Sequence, residues 1–378
     1  MNKRQHLTLL MSCMLALPTL ATAQDDGPKF SFSGFGQLTV AKVLSGTERP
    51  YMEWSCPCAI QNWEYVGVYE KSKGWQADQE SLLGLQGSVR LNDRFSATAQ
   101  LLSRANNKSY RPTLDWAYAS YAISDEWTLQ AGRKRIPLYY YSDFLYIGTA
   151  YPWVRPAPDV YGWPIYAYDG ANLAYSTAVL GGRWTVDANV WAGGFNYKNN
   201  PYDTRIYYAD PTDEKWRNIL GGYVTLSNGE LSGRLMVMRF NNDQRTHKAD
   251  GTTSINMDGY RTTIWGISAN YDGRHFIVRS ELNKFSQQVS GFTYNYFLLG
   301  GGYKLGDWTA MFTISRYRTA ENNLGFAIEG RRTRSLALRY DLNKNWALKA
   351  QYDISKDQSQ WDFLGDHKLL SFSAQTSF

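Results

Sequence analysis

The chain has 378 residues, 43% hydrophobic, 15% aromatic and 20% charged, enough to close a large barrel and too aromatic and patterned for disorder. Past the N-terminal leader no run approaches the ~20 consecutive apolar residues of a membrane helix, and three cysteines, one inside the leader, exclude a disulfide-framework scaffold. The formal charge of +6, which falls by two when Lys3 and Arg4 leave with the leader, is too mild to argue for nucleic acid.

In chain order the first element is an export leader over residues 1–23. Lys3 and Arg4 form its basic start, Leu7 to Leu17 its apolar stretch, and Ala21-Thr22-Ala23 its small-residue cleavage site. Residues 24–378 then form one domain with no linker. Seven short turn signals recur along it: Asn92-Asp93, Ser124-Asp125, Gly181-Gly182, Asn228-Gly229, Asp272-Gly273, Gly306-Asp307 and Asn343-Lys344. Each separates segments of alternating polarity. Trp346, Leu348, Ala350, Tyr352 and Ile354 share one face while Ala347, Lys349, Gln351 and Asp353 share the other, the period of a strand. Phe95, Trp127, Trp184, Phe276, Trp308 and Trp346 follow the turns closely, which predicts a ring of aromatics at one membrane interface.

Seven tight turns with both termini on one side imply eight longer loops opposite, hence sixteen strands. They are expected to begin at residues 29, 80, 94, 113, 126, 167, 183, 216, 230, 260, 274, 293, 308, 332, 345 and 367. The fold class is therefore all-β, a transmembrane antiparallel β-barrel. A barrel of this size leaves a water-filled interior.

The last ten residues, Leu369 to Phe378, alternate and end on a C-terminal phenylalanine. With the leader and the strand count, this resembles a Gram-negative outer-membrane porin of the sixteen-stranded general type. A more local likeness lies in Leu129-Gln130-Ala131-Gly132-Arg133-Lys134-Arg135 and Tyr168-Asp169-Gly170-Ala171-Asn172-Leu173-Ala174-Tyr175, which is similar to the Gly-Arg strand, third loop and Tyr-Asp strand of such porins. The family's Pro-Glu-Phe-Gly loop segment is missing. The resemblance implies an outer-membrane location, long extracellular loops, a third loop (136–166) folded into the barrel, a homotrimer surrounded by outer-membrane lipid, and passage of small hydrophilic solutes. It also makes Phe378 part of the signal read by the barrel-insertion machinery.

Facing a charge to lipid at the bilayer midplane costs roughly 2–4 kcal/mol, so basic strand residues are expected on the lumen face or beyond the apolar band. Parity places Arg104, Arg234, Arg279, Arg339 and Lys349 inward, with Asp115, Asp187, Glu281 and Asp353. In strand five, alternation turns only Lys134 inward and leaves Arg133 and Arg135 beside outward Trp127, Leu129 and Ala131. Either the strand leaves the apolar band by Gly132, or a glycine bulge there turns an arginine inward; the bulge is the expectation here. By the resemblance, Arg133, Lys134 and Arg135 face Asp143 and Asp159 of the third loop across a constriction.

The third loop also carries Tyr139, Tyr140, Tyr141, Phe144, Tyr146, Tyr151, Trp153, Tyr161, Trp163 and Tyr166. These rings either pack the loop against the wall, or line the constriction and stack on sugar or aromatic solutes beside Arg155. Cys56-Pro57-Cys58 is expected to form a local or inter-chain disulfide after export; Glu53 and Glu64, with no histidine nearby, fall short of the four ligands zinc takes. The histidines of the exported part, His247, His275 and His367, do not converge with a serine and a carboxylate, so no enzyme and no cofactor is expected. The expected function is passive diffusion of small hydrophilic solutes and ions with a mild anion preference. A saccharide- or aromatic-selective channel and a plugged structural or adhesive barrel are the alternatives.

Overall fold

The computed structural model describes residues 27–378 apart from 106–108, 321–324 and 326; the leader lies outside the described residues. Sixteen antiparallel strands close into one barrel. They are β1 (Lys29–Gly46), β2 (Leu82–Arg90), β3 (Phe95–Arg104), β4 (Thr113–Ala122), β5 (Trp127–Arg135), β6 (Ala167–Val179), β7 (Trp184–Tyr197), β8 (Thr212–Ser227), β9 (Leu231–His247), β10 (Thr253–Asp272), β11 (Phe276–Gln287), β12 (Thr293–Leu305), β13 (Trp308–Thr319), β14 (Gly330–Asp341), β15 (Trp346–Asp357) and β16 (His367–Ser377). Each pairs with its sequence neighbours, and β1 pairs with β16 to close the ring. Closure leaves no free edge to aggregate. It is locked by the last residue: Gly34 and Phe378 exchange backbone hydrogen bonds of 2.8 and 2.9 Å. The Phe378 ring lies so close over Gly34 that a Cβ there would stand 2.5 Å from it.

All seven tight turns fall where the turn residues put them. The aromatics beyond them point outward and pair across strands, Phe95 with Tyr121 at 4.6 Å between ring centroids, Trp127 with Tyr175 at 4.5 Å and Trp308 with Tyr340 at 4.7 Å. β8 and β10 begin at Thr212 and Thr253, earlier than alternation predicts. The reason is local. Register shifts between Arg217 and Leu220, and around Gln244 in β9, interrupt the period of two, so the readable alternation starts only beyond them.

The eight remaining loops gather at the opposite rim. The first, residues 47–81, folds into two small hairpins (Arg49–Tyr51 with Trp54–Cys56, Cys58–Asn62 with Gly67–Glu70). Its Tyr51, Trp54, Trp63 and Val68 pack with Tyr202 and Ile206 of the fourth loop and Phe363 of the eighth, an apolar cluster at the barrel mouth. Cys56 and Cys58 are joined in a disulfide within this cluster.

Candidate channel constriction

The third loop leaves β5 at Arg135, crosses the lumen, and rejoins the wall at Ala167. A loop of this length carries backbone polar groups that must be satisfied away from bulk water, and the inward side chains of the far wall supply the partners. Lys349 Nζ donates to the carbonyls of Gly148, Tyr151 and Trp153, each at 2.6 Å. Arg339 donates to the Thr149 and Tyr151 carbonyls, both at 2.8 Å. The Tyr140 amide and the Tyr161 hydroxyl donate to Glu281 at 3.1 and 2.6 Å, and the Val154 amide donates to Gln351 at 2.8 Å.

Two ion-pair clusters reinforce this lashing. Arg155 binds Glu80, Asp353 at 3.2 Å and the Ser371 hydroxyl. Asp159 binds Arg331 at 2.6 Å and accepts from Ser315 at 2.8 Å. The loop rings Tyr139, Tyr141, Tyr151, Trp153, Tyr161 and Trp163 sink into one core with Phe285, Tyr296 and Met311 of the wall. Packing is thus their main occupation.

The loop therefore covers one side of the lumen. Inward groups on β10–β16, among them Ser268, Glu281, Thr313, Ser335 and Ser371, are buried, whereas Ser96, Thr98, Gln130, Asp187 and Asn189 on β3–β7 stay half-exposed. The half-exposed inward groups that remain lie along β3–β7, with Arg234 of β9 beside them.

The residues of the basic stretch on β5 separate. The ladder with β4 and β6 runs through Gly132 without a register shift, so the expected bulge is absent. Gly132 instead adopts φ +137°, and a Cβ there would stand 2.2 Å from the Ala117 carbonyl oxygen. Arg133 stays on the outer surface, where it forms a two-pronged pair with Asp169 at 2.8 and 2.9 Å. Lys134 faces the lumen, hydrogen-bonded to Gln130 and lying over the Tyr118 ring at 4.9 Å. Arg135, at the strand end, turns inward under the loops and binds Glu64 and Asp115, each at 3.1 Å, and the Ser142 carbonyl at 3.2 Å.

Glu64, from the first loop, also takes Arg104 at 3.3 Å and the Tyr146 hydroxyl at 2.6 Å. Burial pushes its carboxyl up, but Arg135, Arg104 and the Tyr146 hydroxyl outweigh burial and hold it below its ordinary range. Sequence reasoning turned Arg104 and Asp115 inward and, by resemblance, put Arg135 at the constriction, but it missed Glu64, the acid that the two arginines share. The one available signal was a carboxylate set between two aromatics, Trp63 and Tyr65, in a long loop.

Asp143 lies among Arg234, Lys134 and Arg135; burial pushes its carboxyl up, partly opposed by those three cations. Arg234 donates to Thr225 at 3.0 Å and to the Tyr140 carbonyl at 3.4 Å. Asp187 accepts from Ser176 at 2.7 Å, and Arg279 binds Asp272 at 2.7 Å near the short-turn rim. Of the expected constriction set, Lys134 and Asp143 meet, joined by Arg234. Arg155 and Asp159 serve the far wall, and Arg133 faces away. A cavity of ≈ 50 Å³ between the first and third loops, lined in part by Trp63, Tyr146, Arg155 and Tyr166, has room for water but not for a sugar ring.

A closed sixteen-strand barrel with a loop lashed across its lumen defines a membrane channel of the porin type. The family model for Gram-negative porins matches residues 7–360, and the chain belongs to that family. It is an outer-membrane channel protein for solute diffusion. Its fold is similar to that of the outer-membrane protein OmpT of Vibrio cholerae (TM-score 0.57, 11% identity, covering 94% of this chain and 99% of that one). It is also similar to the outer membrane channel DcaP of Acinetobacter baumannii (0.58, 11%, 94% and 99%) and to an anion-selective porin from Comamonas acidovorans (0.54, 14%, 93% and 100%). No curated protein sequence matches the chain.

Proposed function

We propose that the barrel passes small hydrophilic solutes and ions through a narrow water-filled path along β3–β7, with a mild preference for anions set by Lys134 and Arg234. The observation that carries this reading is the pairing of the inward-facing cations. Arg104, Arg135, Arg155, Arg279, Arg331 and Arg339 are each matched by a carboxylate. Lys134 and Arg234 are half-exposed and take only neutral hydrogen-bond partners, with the Asp143 carboxyl close by. Two cations against one carboxyl leave an excess of positive charge, which biases which ions enter. An anion-selective porin among the similar folds agrees with this assignment.

Reversal potential in a salt gradient across a planar bilayer tests it. Replacing Lys134 and Arg234 together by alanine should move selectivity toward cations, and Arg133→Ala should leave it unchanged. An unmoved potential in the double variant would place both groups outside the ion path. Assembly as a homotrimer belongs to the same proposal, supported by a trimer form of OmpT with this fold; the mass of the detergent-solubilised protein decides it.

A further inference from the structure

We infer that the first residues of β1, Lys29–Ser33, form a strand-addition site at the short-turn rim for an extended segment of another protein, apolar on its outward side and acidic on its inward side. The site rests on the register of the closing seam and is independent of which solutes pass through the lumen.

The two neighbours of β1 cover it unequally. β2 pairs with it from Lys29 to Gln37, whereas the ladder with β16 begins only at Phe35 and Ser377. Gly34 and Phe378 exchange the last hydrogen bonds of the seam. Closure therefore removes the edge of β1 only as far down as the C-terminal residue reaches. Backbone groups alternate in direction along an antiparallel strand, so the pair at Gly34 fixes which ones are left over. Phe32 and Phe30 present their N–H and C=O groups to the seam side, where no strand meets them among the described residues, while Lys29, Ser31 and Ser33 turn theirs to β2. Pro28, the next residue that would face the seam, has no N–H and ends the edge. Unpaired groups in such a row are a template for one more strand.

The side chains define what that strand must carry. Phe30 and Phe32 point away from the lumen and are 70% and 85% exposed, on the same outer face as the exposed Phe378 ring. A strand continuing the line of β16 lays its outward residues beside these rings, where apolar groups fit. On the inward face Lys29 stands directly opposite Arg90. Like charges in that relation destabilise a sheet, and among the described residues neither cation has a carboxylate partner. An inward acid opposite Lys29 on the added strand supplies the balancing charge. Arg90 ends β2 just before the Asn92-Asp93 turn, so the site lies at the membrane surface, open to a segment arriving through water. A second copy of this chain in the same membrane fits poorly, because its β1 would run parallel to this one and bring another Lys29 to the same level.

The test uses the refolded full chain in detergent micelles, with amide exchange resolved by NMR. The probe is the capped peptide Thr-Val-Asp-Val-Asp, with Thr-Val-Lys-Val-Lys as control. Without peptide, the Phe30 and Phe32 amides should exchange quickly and those of Ser31 and Ser33 slowly. The acidic peptide at millimolar concentration should slow Phe30 and Phe32 about tenfold, and the lysine control should bind about tenfold more weakly. Lys29→Ser should abolish that difference. Phe32→Pro removes only the seam-side donor, which the ladder with β2 does not use. The barrel should keep its heat-modifiable mobility in this variant, while peptide protection at Phe30 falls about tenfold. Unchanged exchange with the acidic peptide, equal protection by both peptides, or protection that survives Phe32→Pro would overturn the site. Phe30 and Phe32 amides protected without any peptide, and released on deletion of residues 24–26, would reassign the edge to the chain's own N-terminal residues.

Discussion

Glu64 shows how a single side chain ties loops to wall. Its carboxylate is shared by Arg104, Arg135 and the Tyr146 hydroxyl. Removing one partner of a buried ion cluster leaves uncompensated charge, so Glu64→Ala should destabilise the folded barrel by roughly 3–5 kcal/mol, read from urea unfolding in micelles. Because the folded carboxyl is held below its ordinary range, its stabilisation is complete above the unfolded value and is lost as pH falls through the folded one. Glu64→Gln should flatten that acid limb. Asp143 behaves oppositely. Its carboxyl is raised, so acidification neutralises it early and leaves Lys134 and Arg234 unopposed. Anion preference should increase as pH falls, and Asp143→Asn should display the increased preference at neutral pH; a preference independent of pH would remove Asp143 from the ion path.

At the scale of elements, the third loop is held by its fasteners rather than by regular secondary structure. Lys349 alone satisfies three carbonyls, and charged hydrogen bonds contribute more than neutral ones, so Lys349→Met should cost roughly 2–3 kcal/mol. Single-channel recordings should then show a larger and noisier conductance as the loop loosens; an unaltered trace would mean the aromatic core alone holds it. At the mouth, Glu329 accepts from the Tyr317 hydroxyl at 2.6 Å and the Tyr207 hydroxyl at 3.3 Å. Burial, opposed by those hydroxyls and Arg331, lifts it to about 7. A carboxyl raised on folding favours the folded state while protonated, so the contact between the fourth and seventh loops should weaken as pH rises through about 7. Hydrogen exchange around Tyr207 should rise over that interval in the wild type and stay flat in Glu329→Gln.

For the whole molecule, the closing seam joins β1 to β16, contacts far apart in sequence that cannot form until β16 has been made. Phe378 seals the seam by its backbone bonds to Gly34 and its ring over that glycine. Deleting Phe378 should lower the yield of heat-modifiable, membrane-assembled barrel severalfold while leaving export intact; undiminished assembly would reduce Phe378 to one more lipid-facing ring.

The hairpins, the strand count and the limits of the third loop were legible in the sequence. A wall with lipid on one side and water on the other forces a period of two, and tight turns need glycine, asparagine or aspartate, so both signals are local. Lys134, Arg234 and Lys349 could be turned inward by parity alone. Their partners could not be named. Glu64 reaches Arg135 across 71 residues of sequence and Asp159 reaches Arg331 across 172, and nothing in a local pattern records which loop folds inward or which acid arrives. Arg133 marks the same boundary: only the ladder through Gly132 decides that it stays outside with Asp169. Alternation along each strand thus fixed the barrel, while the distribution of charge within it was settled by loops that meet only after closure.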